Sequence, residues 1–199
     1  TATIYVEGNA VDCSGGIPSL PFTHDFNDAV VPPLCWGYND ANHMGAITIE
    51  EGNYGAAFAA VDYLITPEIH STLPINLSLD YQTLAGLNNI SSSSTFRIGY
   101  STTNDNYGSF TWLTPVLANQ IDEKFFNYTS LFPAGTKYVA IDVTEIGTFT
   151  YGMSSYYNYM IFDNFSLTEV SNPEISAGTT SIDFGNIHVG DNATETVAI

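Results

Sequence analysis

The side chains in this sequence that could do chemistry are mostly carboxylates: 21 Asp and Glu stand against 3 Lys and Arg, beside 4 His and 2 Cys. A zinc protease would need two His one helical turn apart with a Glu between them, and His24, His43, His70 and His188 are isolated. A serine hydrolase would need a G-x-S-x-G elbow, whose last glycine is missing from Gly152-Met153-Ser154-Ser155-Tyr156. A sandwich-fold glycosidase would need two carboxyl groups about 5–9.5 Å apart on one face. The neighbours Glu50-Glu51 and Asp122-Glu123 would point to opposite sides of a strand, which makes them solvated turns. These residues argue against an enzyme. They suit a hard cation better, because calcium takes six to eight oxygens from carboxylates, amide and backbone carbonyls and water, all plentiful on an acidic, Asn-rich surface.

A second chemistry is recognition by aromatic rings. Tyr38, Trp112, Tyr156 and Tyr157 fall in or near turns, and flat rings beside Asn, Asp and Gln side chains are what sugar rings or partner proteins dock on. In Ser154-Ser155-Tyr156-Tyr157-Asn158 the consecutive tyrosines cannot both face inward if the segment is extended. Other partners are excluded by charge. A net charge of −18, with Arg97, Lys124 and Lys137 far apart, repels nucleic acid and anionic lipid alike. No apolar run approaches the roughly 20 residues of a spanning helix, so direct membrane insertion is not expected. Any leader or anchor is expected outside these 199 residues.

The elements that must position these groups read as strands. Apolar residues recur with period two in Ile75-Asn76-Leu77-Ser78-Leu79-Asp80-Tyr81, at Phe96, Ile98 and Tyr100, and at Val139, Ile141 and Val143. The same phase runs through Tyr159, Ile161, Phe165 and Leu167, with Asp163 interrupting the inward face, where an unpaired carboxylate would be costly to bury. Clusters of Gly, Asn, Pro and Ser separate the stretches, and no long run has helical spacing. The pattern predicts an all-β chain built as an antiparallel sandwich or jelly roll. Charged residues make up 12 %, about half the usual 25 %, so Thr, Ser and Asn must cover the solvated faces, as on extracellular β proteins. Residues 1–10 read as one alternating strand, followed by a loose linker from Cys13 to Pro18. Cys13 and Cys35 are either two buried thiols or, in an oxidising space, one bridge closing a loop of about 20 residues.

The segments Leu20-Pro21-Phe22-Thr23-His24-Asp25-Phe26-Asn27-Asp28 and Pro32-Pro33-Leu34-Cys35-Trp36 resemble the opening of the cleaved-adhesin or choice-of-anchor J family, the jelly-roll modules of gingipain-like bacterial surface proteins. Later landmarks agree in order: Tyr63-Leu64-Ile65-Thr66-Pro67, the strand Leu77 to Tyr81, the stretch Phe96 to Thr103, and the closing Met160-Ile161-Phe162-Asp163-Asn164-Phe165. Pro173 onward, with Ile182-Asp183-Phe184-Gly185-Asn186-Ile187-His188-Val189-Gly190, resembles the first strands of choice-of-anchor D type Ig-like modules, and residues 1–10 resemble the last strand of one.

The resemblance implies a preceding Ig-like strand and linker over 1–19, an adhesin-type jelly roll over 20–170, and partial Ig-like β segments again over 171–199. It places Trp36 in the sandwich core. It implies structural calcium where the early acidic segment meets the closing one, which carries over to Asp25, Asn27, Asp163 and Asn164. Asn27 and Asn164 depart from the family's usual acids, and Asp28 or Asp40 could compensate. The implied function is a non-catalytic adhesion or ligand-binding module, secreted or on the outer surface of a Gram-negative bacterium. Its partners would be a glycan or host surface protein and neighbouring Ig-like domains of the same polypeptide. The alternatives are a structural spacer, or an accessory domain of a secreted protease or glycosidase.

Overall fold

A computed structural model describes residues 13–84, 93–118, 124–151 and 153–171. The expected Ig-like segments at 1–12 and 172–199 lie outside the described residues.

The strands are β1 (Phe22–His24), β2 (Gly37–Tyr38), β3 (Met44–Glu50), β4 (Asn53–Phe58), β5 (Asp62–Ile65), β6 (Ile75–Leu84) and β7 (Ser94–Ser101). They continue with β8 (Thr111–Trp112), β9 (Val116–Ala118), β10 (Phe126–Phe132), β11 (Tyr138–Glu145), β12 (Thr148–Tyr151), β13 (Ser154–Tyr157) and β14 (Tyr159–Glu169). One sheet runs β10-β6-β14-β4-β3 with β1 also on β14, the other β2-β5-β11-β7-β8 with β9 also on β7, and β12-β13 form a separate hairpin. The two sheets form an antiparallel jelly-roll sandwich, as the period-two pattern predicts.

Alternation explains the core. Ile75, Leu77 and Leu79 of β6 turn inward against Phe96 and Ile98 of β7 and Val139, Ile141 and Val143 of β11, all without exposed surface. Phe162 bridges the layers, its ring 5.2 Å from Phe96 and 5.5 Å from Phe58, both edge-on; burying each such side chain contributes about 1.5–3 kcal/mol. Trp36 is buried as expected, 5.1 Å from the Phe165 ring.

The last strand corrects the expected phase. Its inward residues are Met160 and Phe162, then Phe165 and Leu167, while Ile161 and Asp163 face the other side of the sheet. The parity changes because the ladder to β6 shifts register between Asp163 and Ser166, where Asn164 adopts a left-handed φ of 50°. One extra residue at a bulge moves everything on one side of it to the opposite face.

Residues 13–18 do not run free. Cys13 is bridged to Cys35, Ile17 is buried in the core and pairs with Ile69 in a parallel bridge, and its N–H donates to the Glu68 carbonyl at 2.7 Å. A Cβ on Gly16, whose φ is 55°, would collide with that same carbonyl.

Candidate functional site

The two acidic segments meet through strand pairing. Antiparallel register sets His24 opposite Phe165, so the chain leaving β1 as Asp25 runs alongside the bulged Asp163-Asn164 pair of β14. Phe26 is itself left-handed, at φ 54°, and its ring is fully buried, which turns Asp25 and Asn27 outward around it. Asp25 accepts the Asn27 N–H at 3.1 Å, a bond that holds its carboxyl below the usual Asp range. Asn27 Oδ1 accepts the Tyr54 N–H at 2.8 Å, tying this loop to the start of β4 beside Asn53.

Asp163 is 2 % exposed. Burial pushes its carboxyl above the usual range, the negative charges of Asp80 and Asp25 push the same way, and hydrogen bonds from the Asn164 backbone and the Asn53 side chain oppose them. Asp80 stands directly opposite on β6, an arrangement that like charges disfavour. Its carboxylate is held by two amides, Asn164 Nδ2 at 2.9 Å and Asn127 Nδ2 at 2.8 Å. Neither Arg97 nor Lys137 balances Asp163, because Arg97 pairs with Asp142 and Lys137 with Glu68.

Of the four carry-over residues, Asp25 and Asp163 therefore lie close enough to interact, and Asn27 is tied to Tyr54 next to Asn53, a neighbour the sequence did not single out whose side chain bonds Asp163. Asp28 accepts the Val30 N–H within its own turn, and Asn164 is committed to Asp80. Asp40 caps the short turn Ala41–His43, accepting the Asn42 N–H at 2.9 Å. Among the described residues no three carboxylate, imidazole or thiol groups gather closely enough to hold an ion by themselves. A cation here would complete its shell with amide and backbone carbonyls, which suits calcium and not zinc.

The aromatic candidates separate into two environments. Trp112 lies over Gly99, where a Cβ would come within 2.5 Å of the ring; Phe110 stacks on it at 5.4 Å, and the Arg97 guanidinium sits 4.3 Å from its centroid. Arg97 Nε donates to Asp142 Oδ2 at 2.7 Å, and the Tyr107 hydroxyl joins the same carboxylate at 2.8 Å. These partners keep the guanidinium and the indole occupied within the protein. Tyr38 is exposed on β2 at the edge of its sheet. Tyr156 and Tyr157 belong to the β12-β13 hairpin, where Tyr157 is 68 % and Tyr156 48 % exposed; Met153 at its turn is fully exposed, and Tyr159 follows at 42 %. Tyr159 also lines a shallow groove with His43, Met44 and Ala57.

The class of molecule is thus a jelly-roll β-sandwich, here with an exposed aromatic hairpin, and comparisons with known proteins agree on the sandwich. The fold is shared with the K1 cleaved adhesin domain of Lys-gingipain from Porphyromonas gingivalis, at 18 % identity and a TM-score of 0.59, covering 77 % of this chain and 100 % of that one. The K3 domain of the same protein gives 16 % identity and 0.55 over 74 % and 96 % of the two chains, and the K2 domain 18 % and 0.53 over 76 % and 99 %. No protein-family model matches the sequence. No curated protein matches it significantly.

Proposed function

We propose that this chain is a non-catalytic adhesion or ligand-binding module working outside the cell, on a bacterial outer surface or secreted, with a glycan or a host surface protein as partner. The observation that carries this reading is the β12-β13 hairpin. It belongs to neither sheet, yet it holds Met153, Tyr156 and Tyr157 exposed next to Tyr159. Large apolar side chains gathered on a surface in this way mark contact sites, and tyrosine offers a stiff ring with a polar tip that serves sugars and proteins equally. The Cys13–Cys35 bridge supports an oxidising compartment. No helix of the described residues is long and apolar enough to cross a membrane.

The same reading includes a structural calcium ion held by Asp25, Asn27 and Asp163. What supports it is the buried Asp163 carboxyl facing the like charges of Asp80 and Asp25, with no ion pair to a Lys or Arg among the described residues. When bound, the ion would supply that missing positive charge and fix the loop after β1 against β14.

Replacing both Tyr156 and Tyr157 by Ala tests the hairpin. Binding to a panel of immobilised glycans and host surface glycoproteins should fall at least tenfold for at least one ligand the unaltered protein retains, as for a central hot spot. Stability in a denaturant titration should change by less than about 1 kcal/mol, as surface substitutions do. Unchanged binding would remove the hairpin from the contact surface. A spacer would retain no panel member at all.

A further inference from the structure

The outer face of the β10-β6-β14-β4-β3 sheet carries a second groove, of about 250 Å³, rimmed by the edge strand β3 and by Phe125 just before β10. Its lining mixes polar and apolar side chains. Ile161 of β14, turned to this face by the bulge, and Ile49 of β3 close over Gly55, where a Cβ would come within 2.7 Å of Ile161 and 3.0 Å of Ile49. Thr48 and Glu50, on either side of a register shift in the β3-β4 ladder, also line it.

Within this lining lies an acceptor that the protein leaves unused. Gln82 is 5 % exposed, and its Oε1 is buried without a hydrogen-bond partner among the described residues. Buried polar atoms are almost always paired with protein, water or ligand, because an orphan loses its hydration with no return. With no bond fixing the oxygen, the terminal amide can turn about its broad last torsion and offer it to a molecule in the groove. Of the other polar groups there, the Glu50 carboxylate accepts and the Thr48 hydroxyl accepts or donates, and among the described residues no Lys, Arg or His lines the site. Anions are disfavoured. The lining asks for a small neutral unit that donates several hydrogen bonds along one edge and presents an apolar face to isoleucine and phenylalanine. The volume is below the about 300–1,000 Å³ of sites for larger ligands.

We propose that this groove is a subsite for one pyranose unit of a neutral glycan, whose C–H face packs on Ile49 and Phe125 while a hydroxyl donates to Gln82 Oε1. The proposal rests on the reading of the chain as a binding module, and it names the ligand class at a place separate from the hairpin.

The test uses the full chain, isotope-labelled for amide NMR, with xylo-, cello-, manno- and galacto-tetrasaccharides as probes at millimolar concentration. At least one should shift the amides of Ile49, Gln82 and Ile161, and Gln82→Met should weaken that sugar about tenfold. The melting temperature of Gln82→Met should stay equal or rise, since the substitution removes an orphan oxygen and keeps the side-chain volume. A fall in melting temperature would mean that the oxygen has a structural partner, and would overturn the proposal. So would a panel with no binder, unaltered affinity in Gln82→Met, or shifts from a short unstructured peptide and from none of the sugars. The Tyr156→Ala/Tyr157→Ala variant should keep the sugar-induced shifts at Gln82. If the sugars fail while that variant still loses a glycoprotein ligand, the groove assignment falls and the binding-module reading stands.

Discussion

Calcium at a hundredfold excess over its dissociation constant should stabilise this protein by about 2.7 kcal/mol, the mass-action gain of an ion that binds only the folded chain. In Asp163→Asn that gain should vanish. The variant keeps an oxygen to accept the Asn164 N–H, which Asp163 Oδ1 now accepts at 2.7 Å, but removes the charge that faces Asp80 and Asp25. In chelator the order should reverse, with Asp163→Asn melting above the unaltered protein because its like-charge repulsion is gone.

The pH dependence in chelator follows from the same geometry. The folded-state pKa of Asp163 is held above its unfolded value, so the folded state binds this proton more tightly. The carboxyl's destabilising contribution should therefore fade as pH is lowered from neutrality through the folded pKa, and be gone below the ordinary Asp value of about 3.9. Asp25 acts oppositely, since its depressed pKa makes its contribution one that is lost in acid. The gap between Asp163→Asn and the unaltered protein isolates the first effect and should close on acidification. Identical melting curves in calcium and chelator, in both proteins, would remove the ion from the fold.

The alternation of β6, β7 and β11 was legible because each has one buried and one solvated face, so period two alone reveals the inward set. In β14 the same rule failed. A bulge costs one residue of register and leaves no mark in composition, so Ile161 and Phe162 exchanged roles and Asp163 moved to the outer face. That change is what sets Asp163 opposite Asp80 and gives Ile161 to the groove floor. Asp80 and Gln82 themselves read as ordinary outward residues of an alternating strand. Only the neighbouring strands show that one faces a like charge and that the other's Oε1 has no partner among the described residues. Asp25, Asn27 and Asp163 could be named together only through resemblance, since a register of His24 on Phe165 joins positions 138 residues apart in sequence, from 25 to 163.

The two cysteines stayed open for a similar reason: their Cα atoms are 5.4 Å apart, a bonding distance that belongs to the fold and not to the spacing. Replacing both by serine should cost about 3 kcal/mol, because the bridge spans a separation of 22 residues and restrains the unfolded chain accordingly. For a domain of this size that is a fall of roughly 6–12 °C in melting temperature. The loss should not be uniform. Cys35 precedes Trp36, whose ring packs on His24, Phe26 and Phe165, so the bridge holds one flank of the loop that carries Asp25 and Asn27. The other flank is the strap of Ile17 on Glu68 and Ile69, which the substitution leaves in place. Hydrogen exchange should accordingly quicken first in residues 24–36 and leave β6, β7 and β11 protected. The calcium gain should shrink in the same variant, since a loosened loop must be ordered again when the ion binds. A double-serine protein that melts with the unaltered one would show that Ile17 and Trp36 hold the loop without the bridge. A variant that loses stability yet keeps the full calcium gain would separate the bridge from the ion site.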